Sequence, residues 1–402
     1  MISEQIGTLR VLVVLHILQG SNNNRWVGGG ADQMSKVQLT ISPDYVDSWT
    51  YVEAVRELFQ NALDNEAIAP DNKMFFSYEG GVLSIGNKSS VLTVDSLLLG
   101  SSSKRNDGRT IGSHGEGYKI ALMVLLREGK CVTIYNYGAN EIWRTRLVKS
   151  RKFKGSLLVE VSIERGGLIV RKGSNNLVIE VKGVTETEYE SIKSSNLNLQ
   201  SDVERLISDG YGSVLLNDKF KGDIFIRGLY VTHIDDLTYG YDLLPDVVHL
   251  DRDRKLVDAL SMALVTSKVW YYCGDVKELS NLILTDAFDV KYVHIVSGYS
   301  AEDYRRNLEL SNEIHCLFVE EHGDIAVPVR NNIELQTLSR GGDTVKPVIV
   351  SDLVSSFLSK VITAPEELTM SARDRLRSWF ERIESVLSTD DRDEFEDIFY
   401  DL

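Results

Sequence analysis

The sequence predicts an α+β fold: a mixed, mostly antiparallel sheet with helices on one face. Three observations predict it. A long amphipathic stretch at 47–67 reads as a helix and precedes a short hairpin. A Ser/Gly/Lys-rich loop at 100–117 leads into a second helix at 118–127. Several strand-like runs then follow in close succession.

The elements are justified in order. Residues 37–41 alternate as VQLTI, a strand signal, and Pro43-Asp44 breaks the pattern. The helix at 47–67 ends before a turn at 71–73. Runs 75–78 and 82–85 form a hairpin around Glu79-Gly80-Gly81. After the second helix, the segments 131–136, 142–148, 157–163 and 177–181 read as strands. Thr185, with Glu188 three positions on, is a capping box that starts a helix at 185–192. A second unit begins near 202 and carries the strand-like GDIFIRGLYV (222–231). It continues into LDRDRKLVDALSMAL, a helix starting near Asp253. Beyond 301, AVPV (326–329) and KPVIV (346–350) are strands with helices between and after them. The expected organisation is an arm at 1–35, a first domain at 36–200, a smaller α/β unit at 201–300 and a C-terminal α/β region at 301–402.

Composition bounds the function. The chain has 402 residues, 43% of them hydrophobic, which is enough for real cores. This excludes a disordered chain, a collagen-like repeat and a small disulfide scaffold. Lys plus Arg is 44 and Asp plus Glu is 59, a net charge of −15. That balance does not point to nucleic acid held by bulk charge, although a local basic groove is compatible with it. Cys131, Cys273 and Cys316 are far apart with no CxxC pair, so a reducing compartment without structural zinc is expected. The apolar run at 9–18 is too short to span a bilayer, no A-x-A-like site follows it, and GSNNNRWVGGG after it reads as a linker. No membrane association and a cytoplasmic location are therefore expected. The tail after Thr389, DDRDEFEDIFYDL, reads either as a solvated terminus or as a docking peptide for a basic partner.

Two strings carry chemistry. In ELFQNALDNE, Glu57, Asn61 and Asp64 stand at i, i+4 and i+7, within about 60° of helical arc. Val52, Val55, Phe59 and Ala62 fall opposite. Alone, this is the polar face of any amphipathic helix. In IGSHGEGYKIAL, Gly112, Gly115 and Gly117 give GxxGxG directly before a helix. Glycines let the backbone approach a phosphate, and a helix N-terminus supplies free N–H groups and positive dipole. The spacing is neither a Rossmann fingerprint nor a P-loop.

In this order, E-x-x-x-N-x-x-D, hairpin, loop and GxxGxG, the sequence resembles the GHKL ATPase superfamily over about 36–200. That superfamily includes type II topoisomerase B subunits, heat-shock chaperones, histidine kinases and MutL-type repair proteins. GSHGEG shares its histidine with the gyrase-like form of the motif. The resemblance implies a Bergerat fold, with ATP and Mg²⁺ as ligands and a homodimer as the working form. It implies that Glu57 is the general base that activates water. Asn61 would hold Mg²⁺ through a neutral oxygen. Asp64 matches the family's later carboxylate, acting through water or another side chain. Gly112, Gly115 and Gly117 would let backbone N–H groups face the phosphates, with His114, Glu116, Tyr118 and Lys119 beside them. The loop at 101–110 stands where the family has its ATP lid, and Lys104 is its candidate phosphate contact. The family also takes a basic residue onto the γ-phosphate from the next domain. Arg254, with Arg252 and Lys255, is the candidate.

One departure stands out. Where the family has DxGxG, with its Asp on the adenine amino group, this chain has Asn87-Lys88-Ser89. An Asn carbonyl accepts the same bond but brings no charge, and a flipped amide would oppose it. The expected function is Mg-dependent ATP binding with slow hydrolysis, driving lid closure and dimer or domain rearrangement. The alternative is a nucleotide sensor that does not hydrolyse. A histidine kinase is disfavoured, because His16 lacks an acidic neighbour and a following Pro.

Overall fold

A computed structural model describes residues 34–39, 41, 45–97, 117–150, 157–166, 175–248, 259–296, 300–339 and 345–361, with scattered positions between 376 and 399. Strand β1 (Met34–Leu39) begins three residues before the alternating run suggested. Helix α1 (Tyr51–Ile68) starts later than expected, because Thr50 caps it. The Thr50 hydroxyl accepts from Val52 N, and the Glu53 carboxylate accepts from Thr50 N at 2.7 Å. Pro70 follows the C-cap Ala69, whose extended backbone (φ −128°, ψ 95°) is the conformation a residue before proline prefers.

Strands β2 (Met74–Glu79) and β3 (Val82–Asn87) pair around Gly80-Gly81, both at positive φ, the tight hairpin expected of that dipeptide. Next come helix α2 (Gly117–Arg127), β4 (Cys131–Asn136), β5 (Glu141–Lys149), β6 (Leu157–Arg165), β7 (Leu177–Lys182) and helix α3 (Glu186–Ser194). Thr185 and Glu188 make the expected capping box. The seven strands form one sheet in the order β1-β6-β5-β4-β7-β3-β2. Every neighbouring pair is antiparallel, so the sheet is antiparallel throughout rather than mixed.

Register aligns side chains into rows. Ile85, Ile179, Ile134, Trp143 and Ile163 are successive cross-strand partners, and all are buried. They share one hydrophobic core with Val55, Leu58, Phe59 and Ala62 of α1 and Ala121 to Leu125 of α2. One strand position to either side of this row, and three at Glu160, the opposite face carries Lys36, Arg144, Glu164, Glu180 and Glu160, many of them ion-paired. The alternation thus separates an apolar face from a polar one. At one end of the apolar face the row turns polar: Asn87, Leu177, Asn136 and Glu141 are aligned and buried.

An ion pair ties α2 to α3. Lys130, just past α2, donates to both Glu188 oxygens (2.6 and 2.7 Å) and to Gly183 O (2.8 Å). Burial alone would raise the Glu188 carboxyl, but hydrogen bonds from Lys130 and Thr185 N outweigh it and hold it below the usual range. A lowered folded value means the bond's stability is present above the unfolded carboxyl value of about 4.3 and is lost as pH falls through the folded value. Lys130→Met is therefore expected to cost about 2 kcal/mol at pH 7 and to flatten stability loss below about pH 4.3. Denaturant unfolding across pH measures both.

Short strands β8 (Arg205–Ser208) and β9 (Gly212–Leu215) follow, then β10 (Asp223–Ile226), β11 (Leu229–His233) and β12 (Gly240–Leu243). The expected single strand at 222–231 is a hairpin instead. β10 and β11 are antiparallel with Arg227-Gly228 at the tip, and β12 runs parallel to β10. The C-terminal part contains α4 (Ala259–Cys273), α5 (Val276–Leu284), α6 (Val293–Val296), α7 (Ala301–His322), β13 (Ala326–Val329), α8 (Asn332–Ser339), β14 (Lys346–Ile349) and α9 (Asp352–Leu358). β13 and β14 are parallel, with α8 as the connecting helix. The chain divides into two compact units. The first comprises the described parts of Met1–Leu206, Leu215–Asp235 and Tyr239–Val257; the second comprises those of Ile207–Val214, Asp236–Thr238 and Asp258–Leu402. β10 to β12 thus lie in the first unit, although the sequence reading placed them in a separate segment, 201–300. No described helix is long and apolar enough to cross a membrane.

Candidate functional site

The polar residues of α1 do not face solvent. Glu57 is 1% exposed and Asp64 0%, while Asn61 is half-buried. The first residue of α2 docks on two of them, Glu57 and Asn61. A Cβ placed on Gly117 would lie 2.7 Å from Glu57 Oε2 and 3.0 Å from Asn61 Nδ2. Glycine is what lets the helix start approach these two side chains so closely. The first N–H groups of α2 have no partner within the helix and carry its positive end. Asn61 Nδ2 donates to Glu57 O at 2.8 Å, so Oδ1 is the amide's remaining polar atom, a neutral oxygen. A carboxylate, the amide side chain of Asn61 and a helix N-terminus therefore meet at one place, residue types that fit a Mg²⁺-bound phosphate.

Tyr118, next in α2, is half-buried as a residue, and its hydroxyl lies deep. That burial, with the charge of Asp64 as second cause, raises the phenol well above its ordinary value. Lys119 is buried at 2% exposure. Asp64 also pairs with Arg227, Nη1 to Oδ1 3.9 Å.

Asn87 ends β3 at 1% exposure. Its Nδ2 donates to Ala62 O and to Asn72 O, both at 2.9 Å. Only an NH₂ can satisfy two carbonyls, so the amide is fixed with Oδ1, an acceptor, on the other side. Ser89 has φ 51°, a left-handed backbone conformation uncommon for a residue other than glycine. Other amides brace the region: Asn65 Nδ2 donates to Ser90 Oγ (2.7 Å), and Asn136 Nδ2 donates to Leu92 O (2.7 Å).

The structure thus brings together Glu57 and Asn61 of α1 and Gly117 of α2, with Asp64 further along α1, Tyr118 next in α2 and Asn87 at the end of β3. Lys104, Gly112, His114, Gly115 and Glu116 lie outside the described residues, as do Arg252, Arg254 and Lys255. Sequence reasoning missed Arg227. Its signal was the Arg-Gly step inside a strand-like run, where glycine marks a turn. Among the described residues no group of three or more His, Cys, Asp or Glu is placed to hold a metal ion. The sequence matches no protein-family model and no curated protein.

Proposed function

We propose that α1, α2 and the seven-stranded sheet form a Bergerat-type nucleotide core, and that the protein binds ATP with Mg²⁺ and hydrolyses it slowly. The contact of Gly117 with Glu57 and Asn61 carries this reading, because it sets a buried carboxylate beside the start of a helix. Glu57 takes the proton of the attacking water. Asn61 offers Oδ1 to the metal, and the first N–H groups of α2 donate to phosphate oxygens. Mg²⁺, when bound, neutralises charge on those oxygens. The proposed output is closure of the 101–110 loop and rearrangement of a homodimer or of its domains in the cytoplasm, with the basic residues at 252–255 as further phosphate contacts. The purified chain with Mg·ATP tests this through nucleotide titration and phosphate release. Failure to bind ATP overturns the reading.

A second reading, a sensor that binds ATP without hydrolysing it, is favoured by one observation: a neutral Asn87 stands where the related ATPases carry a carboxylate. Tight binding without phosphate release would select it. Both readings use Asn87 as an acceptor for the 6-amino group of adenine, and its fixed orientation supports ATP over a 6-oxo purine such as GTP. The substitution Asn87→Asp, which restores the family's usual residue, is expected to damage the protein. It would turn a buried carboxylate toward two carbonyls that have lost their donor, costing about 2–5 kcal/mol. A fall in thermal midpoint is the expected result; an unchanged midpoint refutes the amide orientation.

A further inference from the structure

The tip of the β10–β11 hairpin is an unfavourable place for arginine. Ile226 pairs with Leu229, so the turn is Arg227-Gly228 alone, with φ 48° and 80°. Such turns prefer Asn-Gly or Gly-Gly, because both central residues are left-handed. A residue with a Cβ persists there only when its surroundings over-determine it. Here they do. Arg227 N donates to Leu243 O (3.1 Å), and Asn198 Nδ2 donates to Arg227 O (3.0 Å). Gly228 N donates to Asp242 Oδ1 (2.6 Å), and Leu197 N to Gly228 O (2.7 Å). Asp242 is itself paired with Arg205.

The clamped tip places a guanidinium 3.9 Å from Asp64, a carboxylate with no solvent exposure. The same positive charge acts on Glu66. Asp64 lies three residues beyond Asn61 on α1, and its charge reaches the hydroxyl of Tyr118, the residue after Gly117. The hairpin also touches α1 one residue before Glu57, where Arg56 Nη1 donates to Tyr230 O (3.4 Å).

We infer that Arg227 is a positioning residue for the nucleotide site: it holds Asp64, and Asp64 fixes the turn of α1 bearing Asn61 against the first turn of α2 bearing Gly117. This rests on the ATP-binding reading above. It makes the β10–β11 hairpin the element through which occupancy of the site is felt in the β10–β12 sheet. The pair stands beside the turn of α1 that bears Asn61, and the Asp64 charge reaches Tyr118 in the first turn of α2.

The test uses the full chain, Mg²⁺ and a non-hydrolysable ATP analogue. Arg227→Met is expected to weaken analogue binding, and to raise the KM for ATP, about tenfold, while kcat changes little. Arg227→Lys restores most of the affinity. In the unmutated chain the analogue slows hydrogen exchange at the amides of Arg227 and Gly228. Wild-type affinity in a folded Arg227→Met protein, whatever its stability, overturns the inference and leaves the pair a structural one. If that variant does not fold, exchange in the unmutated chain decides, and unchanged exchange at the hairpin tip overturns it. Absence of analogue binding by the unmutated chain overturns the ATP reading itself, and this inference with it.

Discussion

Glu57→Gln is expected to lower ATP turnover by a factor of about 10²–10⁴ while leaving Mg·ATP binding near its wild-type level. Gln keeps the shape and volume of a side chain that is only 1% exposed, so packing between α1 and α2 is retained. It also keeps hydrogen-bonding capacity. What it removes is an oxygen able to take a proton at neutral pH. Glu57→Ala would confound this by opening a void beneath the start of α2. Phosphate release and analogue binding, measured on the same preparation, separate the two effects. Turnover that survives in Glu57→Gln would falsify the assignment of Glu57 as general base.

The same residue shows where sequence alone reaches and where it stops. The helix, the hairpin at Gly80-Gly81 and the capping box of Thr185 and Glu188 follow from local rules, and the structure contains all three. The spacing of Glu57, Asn61 and Asp64 on one face was equally legible. Their burial was not, because hydrophobic periodicity assigns polar residues to water. Docking of α2 decides otherwise, and that contact joins residues about sixty positions apart. The insertion of β7 between β4 and β3 is also set by distant pairing. Asn87 was legible as a departure but not as an oriented acceptor, since the carbonyls that fix it belong to Ala62 and Asn72. Arg227 was hidden because a hairpin tip usually announces itself with Asn or Asp, and here the turn is over-determined by Asn198 and Asp242.

Gly117→Ala separates stability from function most sharply. In a helix, replacing Gly by Ala ordinarily gains about 0.5–1 kcal/mol, because the unfolded chain loses less entropy on folding. At this position the new methyl meets Glu57 Oε2 at 2.7 Å and Asn61 Nδ2 at 3.0 Å. Neither group can swing aside at no cost: Glu57 is enclosed, and Asn61 is tied to the Glu57 carbonyl. Either the carboxylate and amide are displaced or the start of α2 tilts away from them. A misplacement near 1 Å in a catalytic arrangement costs roughly 10²-fold in rate. The expected variant is folded, with a thermal midpoint close to or somewhat below that of the wild type because the clash offsets the helix gain, yet it hydrolyses ATP about a hundredfold more slowly and binds Mg·ATP more weakly. A stable Gly117→Ala protein with unchanged turnover and affinity would show that the reacting phosphate does not lie at this contact. The donors for it would then have to be sought away from the first turn of α2.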